Sequence, residues 1–361
     1  MTNAADFDRS VCPTPRQDHE RVLLGHGSGG RLSADLVGRV FLPEFGNEVL
    51  SALEDAATLT IDPRGEATRD QANRIAFTTD SFVVKPLFFP GGDIGKLAVH
   101  GTVNDLAVSG AQPLYLSAAF ILEEGFQIDP LRRIVRSMRQ ACAAAGVALV
   151  TGDTKVVDRG KGDQIFITTT GIGVHRVDRD LSIHNARPGD AVIVSGTIGD
   201  HGITIMSTRE GIEFETALES DTAPLNGLVE AMLEACPTIR AMRDPTRGGV
   251  SSTLNELAVA SHVGIVLDEA SLPVKPAVHS ACEMLGLDPL YVANEGKLIA
   301  VVPGDRAEPL VEVMRRHPLG RDAAVIGRVV SEHPAMVVLR NAIGGQRVVS
   351  LLAGEQLPRI C

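Results

Sequence analysis

The sequence predicts a mixed α+β (α/β) fold in two domains, each built around its own sheet. Three observations carry this reading. The 361 residues are about twice what one domain usually holds. Short β-branched runs alternate with longer helical patterns in both halves. The polar stretch from His175 to Asp190, with Arg187-Pro188-Gly189 inside it, reads as the joint. The expected division is a disordered extension over 1–20, an N-terminal domain over 21–180, a C-terminal α/β domain over 181–349 and a flexible tail over 350–361.

Apolar residues make up 44% of the chain and charged residues 22%, the balance of an ordinary globular protein. Lys and Arg number 34 against 45 Asp and Glu, and the net charge of −11 argues against nucleic acid or an anionic membrane as a partner. A chain this acidic binds a polyphosphate only through Mg²⁺ and local backbone N–H groups, so carboxylates that hold metal are the features to look for. The five cysteines, Cys12, Cys142, Cys236, Cys282 and Cys361, form no Cys-x-x-Cys pair and have no histidines at zinc spacing. That pattern points away from a disulfide framework and toward a reducing cytoplasm. No apolar run reaches membrane length, and the first twenty residues lack the apolar core of a signal peptide.

In order along the chain, Gly25-His26-Gly27-Ser28-Gly29-Gly30 precedes a helical pattern through Leu32, Leu36, Val37 and Val40. The glycine spacing matches a dinucleotide fingerprint, but no second strand follows and no Gly-Lys-Ser/Thr ending makes it a Walker loop. It reads as a backbone cradle for phosphates. Arg74 to Thr79 reads as a strand with Asp80 at its end, and Asp93 to Ser109 as a helix with Asp105 on its apolar face. A carboxylate there needs a cation or several donors. A strand over Leu114–Leu122 and a helix over Pro130–Ala145 lead to Val147–Val150, then to Gly152-Asp153-Thr154-Lys155, which is followed by a strand over Gln164–Gly173. Three aspartates, Asp80, Asp105 and Asp153, placed at element ends in one half suit an Mg²⁺–nucleotide site.

The second half opens with a strand over Ala191–Ser195 and the turn Gly199-Asp200-His201-Gly202, in which His201 by itself reads as a capping or surface residue. Asp244-Pro245-Thr246-Arg247-Gly248-Gly249 precedes a helix. Asp244 is expected to cap it, with Pro245 at the first helical position. The helix end and Arg247 suit an anion. Asn294-Glu295-Gly296-Lys297 leads into a strand over Leu298–Val302, followed by a helix over Ala307–Arg316 and strands over Ala324–Val330 and Ala335–Leu339. The chain closes on Leu357-Pro358-Arg359-Ile360-Cys361. A terminal thiol beyond the hinge at Gly354 is expected to reach between two places, since eight extended residues span roughly 26–29 Å.

These motifs, together with Thr79-Asp80-Ser81, Pro90-Gly91-Gly92 and Gly101-Thr102-Val103-Asn104-Asp105, occur in an order that resembles the HypE family of hydrogenase-maturation proteins from about Leu24 to the last residue. The first-half motifs are also similar, more loosely, to aminoimidazole ribonucleotide synthetase, selenophosphate synthetase and thiamine-monophosphate kinase. The Pro358-Arg359-Ile360-Cys361 ending is particular to HypE. The resemblance implies a PurM-like two-domain fold and a homodimer paired through the N-terminal sheets, with ATP and Mg²⁺ in the adjoining groove. It further implies that Cys361 receives a carbamoyl group from HypF, that ATP-dependent dehydration turns it into a thiocyanate, and that the cyanide passes to iron on the HypC–HypD complex. On that basis Glu295 is expected to be the base, with Lys155 steadying charge, and Asp80, Asp105 and Asp153 to hold the metal. Gly27, Ser28, Gly29, Gly30, Asn104, Thr154, Asp244, Thr246, Arg247 and Gly248 would meet the nucleotide. A related small-molecule kinase or synthetase would be indifferent to loss of Cys361. A nucleotide-regulated scaffold would bind ATP without splitting it, and a Rossmann oxidoreductase would bind a nicotinamide cofactor.

Overall fold

The computed structural model of the chain describes residues 21–61, 73–177, 179–211, 218–352 and residue 360. The first half contains α1 (Arg31–Leu36), α2 (Leu42–Phe45), β1 (Ala57–Ile61), β2 (Asn73–Phe82), β3 (Phe88–Phe89), β4 (Gly92–Asp93), α3 (Ile94–Val108), β5 (Gln112–Glu123), α4 (Ile128–Ala145), β6 (Ala148–Val157) and β7 (Ile165–Val174). Five strands form one sheet in the order β1-β2-β7-β5-β6. Only β5 and β6 run parallel, and α4 is the crossover that a parallel pair requires.

α3 is apolar on nearly every side, so it has to be wrapped on every side. It lies on β2 and β7, with α4 beside it and elements of the second half over it. Asp93 caps its start, accepting hydrogen bonds from Gly95 N at 2.8 Å and Lys96 N at 3.1 Å. The opposite face of the sheet carries Phe77, Ile172 and Tyr115 in one register row, together with Leu59 and Ile121, all exposed.

The second half contains β8 (Asp190–Val194), α5 (Asp200–Glu210), α6 (Asn226–Ala235), β9 (Ala241–Arg243), α7 (Gly249–Ser261), β10 (Gly264–Asp268), α8 (Pro276–Leu285), β11 (Ile299–Pro303), α9 (Ala307–Arg316), β12 (Ala324–Val330), β13 (Met336–Arg340) and β14 (Gln346–Val348). Its seven-stranded sheet has the order β14-β13-β10-β12-β8-β11-β9. The unbroken apolar runs of β8 and β11 are explained by cover on both faces. Val192, Val194, Ile299 and Val301 pack with Leu254 and Leu257 of α7, whereas Ile193, Ala300 and Val302 pack with Leu228 and Met232 of α6 and with Leu310 of α9.

Most elements read from the sequence are present, α9 and β12 with the same ends. Three expectations are corrected. β2 runs on to Phe82, so Asp80 lies within a strand and not at its end. β6 continues to Val157, so Asp153 lies within a strand and not at its end. α7 starts at Gly249 behind Gly248, whose left-handed φ of 79° makes it the residue before the helix, so Asp244 is not the cap. The extension over 1–20, the tail residues 353–359 and Cys361 lie outside the described residues.

Candidate active site

Between the two sheets is a polar cavity of about 280 Å³ whose lining includes Asp55, Asp80, Asp105, Asp244, Arg243 and Arg247. A larger groove of about 580 Å³ combines Val84, Leu87, Phe88 and Phe126 with Glu123, Glu124 and Asp163, but among the described residues its carboxylates form no cluster close enough to share a metal ion. In the polar cavity, carboxylate oxygens of Asp55, Asp105 and Asp244 all lie within 4.8 Å of one another. Thr78 Oγ1 lies 2.7 Å from Asp105 Oδ2 and 2.9 Å from the Asp55 carbonyl oxygen and shares its one hydroxyl proton between them, which ties β2 to α3 and to the residues before β1. Arg243 Nε pairs with Asp55 Oδ1 at 2.7 Å, leaving Oδ2 buried without a partner.

Burial first, then the charges of Asp80, Asp244 and Asp55, push the Asp105 carboxyl well above its ordinary range. Burial and the charge of Asp80 push Asp244 up to about 6, against the pull of Arg243. Crowded carboxylates of this kind repel one another unless a cation sits among them. The all-oxygen donor set, with one carboxylate oxygen already unpartnered, fits a hard divalent ion such as Mg²⁺.

The glycine loop is held against this cavity by close backbone contact. A Cβ on Gly29, at φ +73°, would stand 2.6 Å from the Arg247 carbonyl, and Arg247 Nη1 donates to Gly27 O at 3.0 Å. Ser28, Arg247, Gly248, Tyr291, Ala293, Leu352 and Ile360 line a small cleft next door, with Arg247 common to both cavities.

The Asn294–Lys297 loop is held in place by contacts at Asn294, Gly296 and Lys297. Asn294 Oδ1 accepts from Gly199 N at 2.8 Å, while Nδ2 donates to the carbonyls of Pro245 and Val292, stapling the loop to the start of α5 and to the Asp244 segment. Gly296 lets the Asp221 carbonyl approach to where a Cβ would be, and Lys297 pairs with Asp221 at 3.1 Å. Glu295 is buried with Oε1 unpartnered. Burial and then the negative charges of Asp221, Asp244 and Asp80 push its carboxyl well above the ordinary range, with Arg247 opposing. With Asn294 and Glu295 both buried, the loop is part of the interior and not a surface turn.

The structure gathers Gly27, Ser28, Gly29, Asp80, Asp105, Asp244, Thr246, Arg247 and Gly248 around the two cavities or the loop between them. A Cβ added at Gly30 would stand 2.5 Å from the Leu352 carbonyl. Asn104 is buried and spends both amide hydrogens on the Ala223 and Glu295 carbonyls, while Oδ1 accepts from Leu225 N, so it has no donor left for a nucleotide. Asp153, Thr154 and Lys155 lie elsewhere. Asp153 stands in the register row Ser81–Thr168–Ala119–Asp153, three strand spacings or roughly 14 Å from β2. It is exposed on the edge strand and pairs with Lys155 at 2.9 Å. Within one protomer Asp55 therefore stands where Asp153 was expected. Asp55 stands two residues before a strand, and that placement was the available signal.

Family models match both halves: the AIR synthase related protein N-terminal domain over residues 53–175 and the C-terminal domain over 187–339. The chain is 56% identical over 340 residues to the carbamoyl dehydratase HypE of Azotobacter vinelandii, covering 94% of this chain and 97% of that one. Among solved structures, a HypE–HypF complex matches with a TM-score of 0.81 at 51% identity, covering 88% of this chain and 99% of that one. A hydrogenase maturation protein HypE in complex with ATP matches with a TM-score of 0.77 at 50% identity, covering 94% and 100%.

Proposed function

The chain belongs to the AIR synthase related family, within its HypE branch, and from that membership we propose that it is an ATP-dependent carbamoyl dehydratase of hydrogenase maturation, working in the cytoplasm. A carbamoyl group placed on Cys361 by a HypF-type carbamoyltransferase is dehydrated to a thiocyanate, and the cyanide passes to iron on a HypC–HypD complex. A relative's carbamoyl dehydratase name and neighbours solved with HypF and with ATP support this reading. The observation that carries it is Ile360, the neighbour of Cys361, which is buried in the cleft that shares Arg247 with the acidic cavity.

The chemistry asks three things of the protein. Cys361 S–C(=O)–NH₂ becomes S–C≡N when its oxygen leaves and both N–H protons are removed. Bound ATP and Mg²⁺ supply the phosphoryl group with which the oxygen departs as phosphate. Asp55, Asp105 and Asp244, with Asp80 beside them, would hold the metal, and the glycine loop and Arg247 would face the phosphates. Glu295 takes one N–H proton, the other leaves with the departing phosphate, and its raised pKa makes Glu295 a stronger base than an ordinary carboxylate. Lys297 is committed to Asp221, so it holds a charge in place and does not move a proton.

Two copies pair through the open apolar face of the first sheet, where Phe77, Ile172 and Tyr115 are exposed. That pairing is what would carry Asp153, Thr154 and Lys155, on the adjoining edge strand, toward the second copy's cavity.

Intact mass of the chain after loading by its carbamoyltransferase, before and after ATP with Mg²⁺, tests the reading. The expected result is a gain of one carbamoyl group that is absent in Cys361→Ala, then loss of one water only with ATP. Failure to load, with ATP hydrolysed on a free small molecule, would move the chain to the kinase-like branch.

A further inference from the structure

His201 lies in the first turn of α5, and its surroundings exclude the capping or surface role that its sequence position suggests. Its ring is fully buried and packs edge-on against Phe89, with centroids 5.6 Å apart. Both nitrogens are engaged. Nδ1 is 2.7 Å from Ser220 Oγ, and Nε2 is 2.7 Å from the carbonyl oxygen of Ile360. A carbonyl can only accept, so Nε2 carries the proton. Nδ1 then accepts from the Ser220 hydroxyl, whose oxygen accepts from Thr222 N at 3.2 Å. The line from Thr222 through Ser220 and His201 to Ile360 thus runs in one direction, each donor meeting an acceptor. Burial holds the imidazole pKa below its ordinary range, which keeps the ring neutral and this tautomer in place.

Ile360 has two further ties. It forms an antiparallel bridge with Val84, and its side chain packs in the apolar cluster that includes Phe82, Val84, Phe89, Ile205 and Ala293. An apolar socket holds a side chain but leaves the direction of the backbone open. The Ile360 carbonyl lies in the same rigid plane as the peptide nitrogen and Cα of the next residue. Holding that oxygen therefore narrows the directions in which the chain can continue beyond Ile360.

We propose that His201, oriented by Ser220, is a positioning residue that reads the Ile360 carbonyl and so sets where the Cys361 thiol stands relative to Glu295. The proposal rests on the dehydratase reading for its purpose, though not for its geometry. The Ile360 socket selects which residue docks, and His201 sets its register and heading. Glu295 reaches a substrate carried on the chain's own end only if that heading is held, because proton transfer needs heavy atoms within about 3 Å.

Three variants test this. His201→Phe keeps a ring and removes the donor. His201→Gln offers an amide N–H near the place of Nε2. Ser220→Ala releases the tautomer. The first readout is the rate of maleimide labelling of Cys361 on the full uncarbamoylated chain, resolved from the other cysteines by peptide mass, which needs no dehydratase activity. The second is the single-turnover rate of water loss from the carbamoylated chain, with ATP affinity measured alongside. His201→Phe should raise labelling about fivefold, the weight of one hydrogen bond, and slow water loss by at least as much at unchanged ATP affinity. His201→Gln should bring both back toward the parent, and Ser220→Ala should fall between. Labelling of the Phe variant at the parent rate, or no rescue by Gln, overturns the proposal. If the Phe variant loses its cooperative melt, Ser220→Ala decides, and unchanged labelling there overturns it. If labelling responds while the parent loses no water, the positioning role stands and the dehydratase reading fails.

Discussion

Glu295 and Asp244 are carboxylates whose surroundings set their chemistry. Glu295→Gln keeps the shape and removes the basic oxygen, so water loss should drop by about 100-fold or more with ATP binding retained. In the parent, the rate should fall as pH drops through a pKa above that of an ordinary glutamate, and this limb should be missing in the variant. Asp244 holds its proton more tightly in the folded chain, with a pKa of about 6 against 3.8. A raised acid contributes stability that is fully present below the unfolded value and lost as pH rises through the folded one. The cost at neutral pH without metal has an upper bound of about 3 kcal/mol, reduced because the cleft is open to water. Asp244→Asn should therefore melt higher than the parent at pH 7.5 without Mg²⁺, lose that advantage near pH 4, and gain less from added Mg²⁺.

At the scale of elements, the site is made by the loops 25–30, 244–249 and 294–297, and a glycine in each admits another backbone where a Cβ would stand: Gly29 meets the Arg247 carbonyl, Gly249 those of Leu290 and Val292, and Gly296 that of Asp221. Gly29→Ala places a side chain at φ +73° and 2.6 Å from the Arg247 carbonyl. A melt and an ATP titration should show a loss of about 1–2 kcal/mol in stability and weaker nucleotide binding. Gly27→Ala, with nothing within 4 Å of its Cβ, should leave the melt unchanged, so any weakening of nucleotide binding there reports the phosphate cradle itself. The glycines were legible in the sequence as a cradle. Their partner was not, because Gly29 and Arg247 are far apart along the chain and meet only when the two halves pack.

For the whole molecule, the question is which copy supplies Lys155. Co-expression of Glu295→Gln with Lys155→Ala yields mixed dimers. If Lys155 acts across the pairing, one site in each mixed dimer has both native residues, and roughly a quarter of parental activity should return. If it acts within its own protomer, no site is intact and activity should stay at the level of the single variants. Ile172→Lys, in the middle of the exposed apolar row, should yield monomers by light scattering and lose the complementation.

Periodicity was enough to place most strands and helices, since alternation and helical spacing are local consequences of which face is buried. The motif order also identified the family, and the short polar runs at element ends marked most of the cavity. Local signals failed where a residue's role depends on a distant partner. Asp153 reads as a neighbour of Asp80 and Asp105, whereas β6 is the sheet edge and sets it apart from them within one protomer, and Asp55 goes unnoticed until Thr78 and Arg243 bring it to Asp105. His201 and Glu295 have ordinary local sequence, and only the packing of the two halves buries them. Chain-local chemistry thus determined the elements, the family and the candidate carboxylates. Tertiary packing alone decided which of them lose water, which lose their partners, and which face the seat of Ile360, because burial and pairing arise between segments distant in sequence.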